Sequence, residues 1–373
     1  MRIGVFHPAL DMYGGAELVA VATANALAQN GYDTVLFVNK WVDYKKIEEM
    51  MGAPLSSSVK VMVHPAFLQP RGMFHLYESA FRSLAFKASC DILIDTYSSY
   101  IFPWIDVSYM HFPYLNNYEF RSKFPYLKSA HLSQVLTVPY AAFEKNLENY
   151  DEKLILANSY FTAKAIKESL GAESKVLYPP VPSALSEKNI ASFESPRENL
   201  VVTIARFGPD KNVDLIPQIA HQTDKNVRFL MIGLAHDLAV VQAVKRRIKE
   251  LKLEDRVTLM INASRQDIKK SLSKAKVYLH TKKMEHFGIS IAEAMSMGCL
   301  PVVHNSGGAP EFVPNRYRYN DLREAAEIVE KAIYQWDPDK ARSVVKIAER
   351  FSETNFSIRF IDLFIDYCDS LKK

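Results

Sequence analysis

Short apolar, β-branched runs alternate with longer amphipathic stretches through the first half of the chain. The helical stretches are Gly15–Gln29 and Tyr160–Leu170, and Gly171 follows the second as a C-cap. The short runs predict strands at Ile3–Phe6, Thr34–Val38, Val59–Val63, Ile92–Asp95 and Leu154–Ala157. Alternation of strand and helix in this order predicts a parallel sheet that is covered by helices on both faces.

The same alternation starts again near residue 200. Strands are predicted at Leu200–Ile204, Val227–Ile232, Val257–Met260, Val277–His280 and Leu300–Val303. Helices are predicted at Val213–Ala220, Leu238–Leu251 and Ile289–Met297, with further helices from Asp321 onward. The pattern therefore predicts two α/β domains in tandem, at 1–178 and 200–350. Residues 179–199 are the predicted linker, because prolines 179, 180 and 182 are followed by a polar stretch.

Composition agrees with a two-domain globular protein. The chain has 373 residues, which is more than one hydrophobic core usually serves. Hydrophobic residues make up 48% and charged residues 24%, which excludes a disordered or fibrous chain. The net charge of +4 comes from the second half of the chain. Because no block of Lys and Arg forms a basic arm, we expect no nucleic-acid partner.

The N-terminal residues enter a strand pattern directly, without the three regions of a signal peptide. No apolar run reaches the roughly 18 residues that a membrane-spanning helix needs. Cys90, Cys299 and Cys368 are far apart and have no metal-ligand spacing, so they are interpreted as free thiols. These features predict a cytoplasmic protein.

Residues 97–143 are unusually rich in tyrosine and phenylalanine, with scattered Lys and Arg. One interpretation is extra packing beneath long loops. The other is a face for an amphipathic or lipid-bearing acceptor, which would bring peripheral contact with a membrane. The sequence leaves both open.

The first candidate motif is HPALDMYGGAE, which lies between the first predicted strand and the first predicted helix. Gly14 and Gly15 remove two β-carbons where backbone N–H groups begin the helix, an arrangement that suits a diphosphate. The motif matches neither the GxGxxG fingerprint nor a P-loop, so dinucleotide and P-loop binding are not supported. Two glycines at such a position also form simple tight turns.

The second motif, ARFGPDKN, follows the first strand of the second predicted domain. Arg206 and Lys211 flank a turn that contains Gly208 and Pro209. Two cations at the carboxyl end of a strand are able to clamp one pyrophosphate. The alternative for these side chains is a solvated surface.

The third motif is EHFGISIAEAMSMGCLPVVHNSGG, which begins at Glu285. Phe287, Gly288 and Ile289 place backbone N–H groups at the start of a predicted helix, where an anion binds well. Glu293 lies inside that helix on an apolar face, and a buried carboxylate there needs a partner such as a ribose diol. Taken alone, each glutamate is also explained as a surface residue.

These three motifs, in this order, resemble the retaining GT-B glycosyltransferases of family 4, whose signature is EX7E. HTKKMEHFGISIAEAMSMGCLPVVHNSGG, SYMHFPY and VLYPPV are similar to the α-1,2-mannosyltransferases of lipid-linked (dolichol) oligosaccharide assembly. The resemblance implies two Rossmann-like parallel-sheet domains that face a central cleft. It also implies that a C-terminal helix near 356–371 completes the first domain.

The resemblance assigns roles to particular residues. Gly14 and Gly15 would face the donor phosphates, and Arg206 and Lys211 would bind the diphosphate. Glu285 would hold hydroxyls of the transferred sugar, together with the backbone N–H groups of the turn that follows it.

Two further roles rest on the same resemblance. Glu293 would hold the ribose hydroxyls, and His111 would lie in the first domain near the reacting sugar. The partners implied are a nucleotide diphosphate sugar, most simply GDP-mannose, and a glycan or lipid-linked acceptor. No cofactor and no metal are required, because cationic side chains replace the metal.

Three other functions fit part of the pattern. A UDP-sugar transferase would share the diphosphate and sugar motifs. A sugar-nucleotide-binding protein without catalysis would share the fold. An oxidoreductase with a Rossmann domain is disfavoured by the missing glycine fingerprint.

Overall fold

The computed structural model describes residues 1–10, 14–39, 43–64, 73–97, 101–113, 150–182, 196–235 and 237–372. Its contacts divide the chain into two compact units. Unit 1 comprises Met1–Pro180 and Glu353–Lys373, and unit 2 comprises Val181–Ser352.

Among the described residues of unit 1, seven strands form one parallel sheet. Their bounds are β1 Arg2–Phe6, β2 Asp33–Val38, β3 Lys60–Val63, β4 Ile92–Asp95, β5 Val107–Met110, β6 Leu154–Ala157 and β7 Lys175–Val176. The order across the sheet is β3-β2-β1-β4-β5-β6-β7. Because β1 lies inside the sheet and the chain leaves it in both directions, the topology is doubly wound.

Helices accompany this sheet at α1 Gly15–Gln29, α2 Tyr44–Met51, α3 Met73–Lys87, α4 Tyr160–Leu170 and α11 Glu353–Ser370. The C-terminal helix α11 packs on α1 and buries Phe356, Phe360 and Phe364 at helical spacing. The ring of Phe364 lies edge-on to that of Tyr32, 5.5 Å between centroids. The last helix of the chain therefore belongs to the core of unit 1.

Unit 2 repeats the architecture with six strands among its described residues. They are β8 Glu198–Ile204, β9 Arg228–Gly233, β10 Val257–Ile261, β11 Ala275–His280, β12 Leu300–His304 and β13 Arg318–Tyr319. The sheet order is β10-β9-β8-β11-β12-β13, and all pairs are parallel. The helices are α5 Ile216–Gln222, α6 Leu238–Glu250, α7 Arg265–Lys274, α8 Ile289–Ser296, α9 Leu322–Tyr334 and α10 Pro338–Ala348.

The predicted fold class, two Rossmann-like parallel-sheet domains, is confirmed. Every strand predicted from the sequence is present within a residue or two, and Gly15–Gln29 and Tyr160–Leu170 are helices with the predicted bounds. Strands β5, β7 and β13 and helices α2, α3 and α7 were not predicted. The three cysteines are free thiols, as expected.

One predicted helix and the start of one predicted strand differ in the structure. The helix predicted at Val213–Ala220 is a 3-10 turn at Val213–Leu215 followed by an α-helix that begins at Ile216. Asn212, at φ 49, sets this turn. Strand β8 begins at Glu198, inside the predicted linker, because it pairs there with β11. Residues 183–195 of that linker and residues 114–143 of the aromatic-rich region lie outside the described residues.

Candidate active site

Glu285 in unit 2 lies between strand β11 and helix α8, and its backbone is fixed by two glycines. Gly308 donates its N–H to the carbonyl oxygen of Glu285 at 2.7 Å, and Gly307 forms a β-bridge with Glu285. Gly307 has φ +81, and a β-carbon there would lie 2.3 Å from that carbonyl oxygen. The close approach therefore requires glycine at this position.

Four donors surround the buried carboxylate of Glu285. Its Oε2 accepts from Lys211 Nζ at 2.9 Å and from His280 Nε2 at 3.1 Å. Its Oε1 accepts from Lys282 Nζ at 3.3 Å and from the backbone N–H of His286 at 3.1 Å. Hydrogen bonds to both oxygens hold the Glu285 side chain in one position, and each oxygen accepts from one lysine.

This cluster favours an anion. Burial raises the pKa of Glu285, but Lys211 and Lys282 outweigh it and hold the pKa well below its usual range. Burial lowers the pKa of His280, which favours the neutral ring that donates from Nε2. Two lysine side chains contact one carboxylate, so positive charge is in excess around Glu285. Asp210 offsets this excess only in part, since its Oδ2 lies 4.0 Å from Nζ of Lys282.

Topology explains why Lys211 and Glu285 meet although they are far apart in the sequence. Strands β8 and β11 are neighbours in the sheet, and the carboxyl ends of parallel strands share one edge. Lys211 ends a 3-10 turn after β8, and Thr281, directly after β11, donates its hydroxyl to the carbonyl of Lys211 at 3.1 Å. Arg206, also after β8, is exposed.

Helix α8 starts where the sequence predicted. Gly288 is its N-cap at φ 100, and a β-carbon there would lie 2.5 Å from Ile291 Cδ1. Phe287 anchors the turn, since its buried ring packs on those of Phe312 and Phe351 at 4.9 and 5.0 Å. The predicted N–H groups of residues 287–289 therefore lie at the start of helix α8, which follows strand β11. Lys211 follows the neighbouring strand β8.

Glu293 is buried on helix α8, as expected for a residue with a specific partner. Its Oε1 lies 2.5 Å from Nη2 of Arg265, the first residue of helix α7. Sequence reasoning missed this arginine, and it missed His280 and Lys282. His280 carried a usable signal, since it is the polar residue that ends a buried parallel strand.

In unit 1, Gly14 is the N-cap of helix α1, and Gly15 is its first residue. The N–H of Gly14 donates to Oε2 of Glu17 at 2.7 Å, so it is already engaged within the helix start. His7, fully buried, contacts the Thr96 hydroxyl through Nδ1 at 3.0 Å, and its Nε2 lies 3.9 Å from Glu17 Oε1. The predicted glycine motif thus contacts a buried polar network formed by Glu17, His7 and Thr96.

His111 follows strand β5 at the same edge of the unit 1 sheet. Its Nε2 donates to the carbonyl oxygen of Thr96 at 3.0 Å, since a carbonyl only accepts. Burial lowers the pKa of His111 to about 4. The ring is therefore neutral near pH 7, with its proton on Nε2 and an acceptor at Nδ1. Asn158, after β6, donates to the His111 carbonyl at 3.0 Å.

This depressed pKa predicts a pH dependence of stability. An unfolded His111 takes up a proton near pH 6.5, whereas the folded one stays neutral down to about pH 4. The unfolded state binds more protons in that window, so this contribution is complete above pH 6.5 and is lost as the pH falls towards 4. In urea titrations at several pH values, His111→Gln should reduce the slope of unfolding free energy by up to about 1.4 kcal/mol per pH unit. An identical slope in the variant would contradict a ring that stays neutral in the folded protein.

The described residues offer neither a metal cluster nor a membrane span. Within the described ranges, no group of three or more His, Cys, Asp or Glu side chains is arranged to hold a metal ion. In the part of the chain that the structure describes, no helix has both the length and the apolar character needed to cross a bilayer. The predicted metal independence stays a prediction.

Most of unit 2 is similar to a known protein family. Residues 186–346 match the family model of the glycosyl transferases group 1. The matched region is most of unit 2 and less than half of the chain. It includes Arg206, Lys211, Glu285 and Glu293, so the predicted donor-site motifs lie within the region that is similar to this family.

Curated relatives share one name, GDP-Man:Man(3)GlcNAc(2)-PP-Dol alpha-1,2-mannosyltransferase. The Dictyostelium discoideum protein is 30% identical over 236 residues, which cover 56% of this chain and 46% of that protein. The Xenopus laevis protein is 26% identical over 96% of this chain and 86% of its own length. The human protein is 25% identical over 97% and 86%. The match to the Dictyostelium protein thus spans about half of that relative, and the predicted resemblance to this group is confirmed.

Solved structures agree on the fold. Anabaena HepE in complex with UDP and glucose superposes with a TM-score of 0.72 at 19% identity, covering 98% of this chain and all of that one. WaaG, a glycosyltransferase of lipopolysaccharide biosynthesis, superposes with a TM-score of 0.72 at 14% identity, covering 97% and 99%. The predicted GT-B class of fold is confirmed by these neighbours.

Proposed function

We propose that this protein is a retaining glycosyltransferase that moves mannose from GDP-mannose to a hydroxyl of a glycan or lipid-linked glycan. The observation that carries the proposal is the Lys211–Glu285 pair at the edge of the unit 2 sheet. A diphosphate needs cations, and a sugar needs a fixed acceptor for its hydroxyls. The pair supplies both within one group 1 glycosyl transferase domain.

Catalysis in this proposal is electrostatic. Negative charge grows on the nucleoside diphosphate as the bond from the anomeric carbon to the phosphate oxygen breaks. Lys211, Lys282 and Arg206 are cations of the same sheet edge, and preorganised charge of this kind usually lowers a barrier more than any other single effect. Glu285 orients the sugar through its hydroxyls, which fixes the reacting carbon relative to the acceptor.

Retention follows from substitution on one face of the sugar. A double displacement needs a free carboxylate as nucleophile, whereas both oxygens of Glu285 accept from a lysine. The acceptor oxygen instead bonds to the anomeric carbon on the face that the phosphate leaves. The acceptor's proton passes to the departing phosphate oxygen, and the products are GDP and an α-mannoside.

The acceptor assignment draws on the names of the relatives and on unit 1. The relatives are named for adding α-1,2-mannose to Man(3)GlcNAc(2)-PP-Dol. We assign this chain an acceptor of the same chemistry, a mannose-bearing oligosaccharide on a lipid pyrophosphate, reached by peripheral contact at the cytosolic face of a membrane. The role that the resemblance implies for His111 stays a prediction, and its neutral ring leaves Nδ1 as an acceptor.

Calorimetric titration with GDP, UDP and ADP tests the donor assignment. We expect selective binding of GDP, followed by slow release of GDP from GDP-mannose when no acceptor is present. Preference for UDP would replace mannose with the sugar of a UDP donor. Binding without turnover of any donor, even with acceptors supplied, would favour a non-catalytic sugar-nucleotide-binding protein.

Arg206→Ala tests the diphosphate clamp. Because the guanidinium is expected to contact the terminal phosphate, its removal should weaken GDP on the order of tenfold and GMP much less. The measurement is the Kd of each nucleotide by calorimetry. Equal weakening of GDP and GMP would contradict a clamp on the diphosphate and leave Arg206 as a surface charge.

EDTA tests the predicted metal independence. Since Lys211, Lys282 and Arg206 carry the charge that a metal would otherwise supply, turnover of GDP-mannose should be unchanged after EDTA treatment and gel filtration. Loss of turnover that Mg²⁺ or Mn²⁺ restores would mean that a divalent cation takes part in binding the diphosphate.

A further inference from the structure

Met284, the residue before Glu285 in unit 2, has a backbone conformation that is uncommon for its residue type. Its φ is 53, in the left-handed region that side chains other than glycine rarely adopt. Such a conformation persists only where the surrounding structure holds it, and it occurs preferentially at functional sites. The contacts that hold Met284 therefore also decide the position from which the Glu285 side chain extends.

The hydroxyl of Ser306 holds Met284 from the neighbouring strand end. Its Oγ accepts the backbone N–H of Met284 at 2.8 Å. Ser306 lies in the turn after strand β12, where its own N–H donates to the carbonyl oxygen of His304 at 2.8 Å. The next residue, Gly307, makes the β-bridge with Glu285. The loop is thus held at two consecutive residues, by a side-chain hydroxyl at 284 and by the bridge at 285.

His304, the last residue of β12, orients that hydroxyl. Its Nδ1 lies 2.7 Å from Oγ of Ser306. Burial lowers the pKa of His304 and the charge of Lys283 lowers it further, so the ring is neutral near pH 7. Because Oγ already accepts from Met284, its single proton is available for Nδ1 of the neutral ring. The Met284 N–H, the Ser306 hydroxyl and the His304 ring therefore form one chain of hydrogen bonds.

The His304 ring is also connected to the carboxylate end of Glu285. It lies edge-on to the buried ring of Tyr319, 5.4 Å between centroids. The hydroxyl of Tyr319 donates to the carbonyl oxygen of His280 at 3.0 Å, and Nε2 of His280 lies 3.1 Å from Oε2 of Glu285. The ends of strands β11, β12 and β13 are therefore joined around one glutamate, whose backbone is held through Ser306 and whose carboxylate is held through His280.

We propose that Ser306 is a positioning residue for Glu285 and that His304 keeps the Ser306 hydroxyl in the orientation that this role requires. Ser306 acts through the backbone of Met284, so it sets the direction in which the Glu285 side chain leaves the loop. The donors around the carboxylate are met only from that starting position. The inference rests on the proposed function, in which Glu285 orients the transferred sugar.

A change at Ser306 should leave the partners of the diphosphate in place. Lys211 is fixed from another strand, because it ends a 3-10 turn after β8 and its carbonyl accepts from the hydroxyl of Thr281. Arg206 also follows β8. Loosening Met284 therefore moves the group that is assigned to the sugar. We expect the consequence in kcat and not in the affinity for GDP.

Ser306→Ala tests the inference through turnover of GDP-mannose and the Kd of GDP, both measured on one preparation. The kcat should fall about tenfold, less than in Glu285→Ala because the Gly307 bridge remains, and the Kd should stay within about twofold. His304→Phe keeps an aromatic ring beside Tyr319 without the acceptor and should lower kcat about threefold. Each kcat is expressed per GDP-binding site counted by calorimetry, so unfolded protein does not enter the value.

The decisive measurement repeats Ser306→Ala in a Glu285→Ala background, with GDP release followed at high enzyme concentration. If Ser306 acts through Glu285, the second substitution should change the residual kcat less than about twofold, because no carboxylate remains to be positioned. Ser343→Ala is the matched control, since Ser343 is exposed on helix α10 and its hydroxyl donates to a carbonyl of the same helix. It should keep the wild-type kcat.

Two results would overturn the inference while the proposed function stands. One is a fall in kcat by the same factor in both backgrounds, which would show a general weakening of unit 2. The other is an unchanged kcat in Ser306→Ala. A wild-type protein that turns over no nucleotide sugar would instead overturn the proposed function, and this inference with it.

Discussion

Glu285→Ala should lower kcat for transfer from GDP-mannose on the order of a hundredfold or more, while the Kd of GDP stays within about threefold of the wild type. The carboxylate is assigned to hydroxyls of the transferred sugar, and GDP does not carry that sugar. Losing the fixed acceptor lets the sugar shift, and a displacement of about 1 Å is enough for an effect of this size. Lys211 and Lys282 are both unchanged in this variant, so the diphosphate keeps its side-chain partners.

The measurement is a paired one, with kcat from GDP release and Kd from calorimetry on the same preparations. Glu285→Gln keeps the size of the side chain and should show the same split between turnover and binding. Glu327→Ala is the control, since Glu327 lies 65% exposed on helix α9 and pairs with an exposed arginine. If GDP binding and turnover fell together by the same factor, the assignment of Glu285 to the sugar would be wrong.

Lys211→Met should weaken GDP and lower kcat/KM on the order of 10²–10³-fold, the second large effect that we expect. Nζ of Lys211 is buried 2.9 Å from Glu285 Oε2, which places one cation where sugar and diphosphate meet. Removing Lys211 takes away positive charge that stabilises the leaving diphosphate in the transition state. It also leaves one oxygen of a buried carboxylate without its cation, which costs further free energy.

Lys276→Met serves as the control for Lys211→Met. Lys276 belongs to the neighbouring strand β11 but hydrogen-bonds to Asn199 at 2.7 Å, on the other end of the sheet from the candidate site. We expect near wild-type kinetics from it. A Lys211→Met protein that binds GDP like the wild type, with an unchanged melting temperature, would contradict a role in holding the diphosphate.

The local sequence pattern was sufficient to predict most of the helices and strands. Helix α4 was predicted to the residue, because Ser159 accepts from Thr162 N at its start and Gly171 takes the left-handed conformation at its end. Strand β5 was missed because Val107–Met110 is only four residues long and stands among aromatic residues that hide its period. Its place in the middle of the sheet comes from pairing with β4 and β6, which is tertiary information.

The candidate site was predicted less completely than the fold. Lys211 and Glu285 were each identified from a motif, and the pairing of β8 with β11 explains why they meet. Lys282 was missed because two adjacent lysines in a loop are typical of solvated charges, yet its side chain is only 7% exposed. The contact of Arg265 with Glu293 was missed because nothing local indicates that the arginine side chain turns inward.

Transfer itself is the most direct test of the central claim. Purified protein is incubated with GDP-[³H]mannose and a mannose-terminated oligosaccharide on a lipid pyrophosphate, with UDP-[³H]glucose in parallel and Glu285→Ala as the blank. We predict label in the lipid fraction from GDP-mannose alone, released by an α-mannosidase. Transfer from UDP-glucose instead would overturn the donor, and no transfer from either donor by a protein that binds GDP would contradict the enzymatic function.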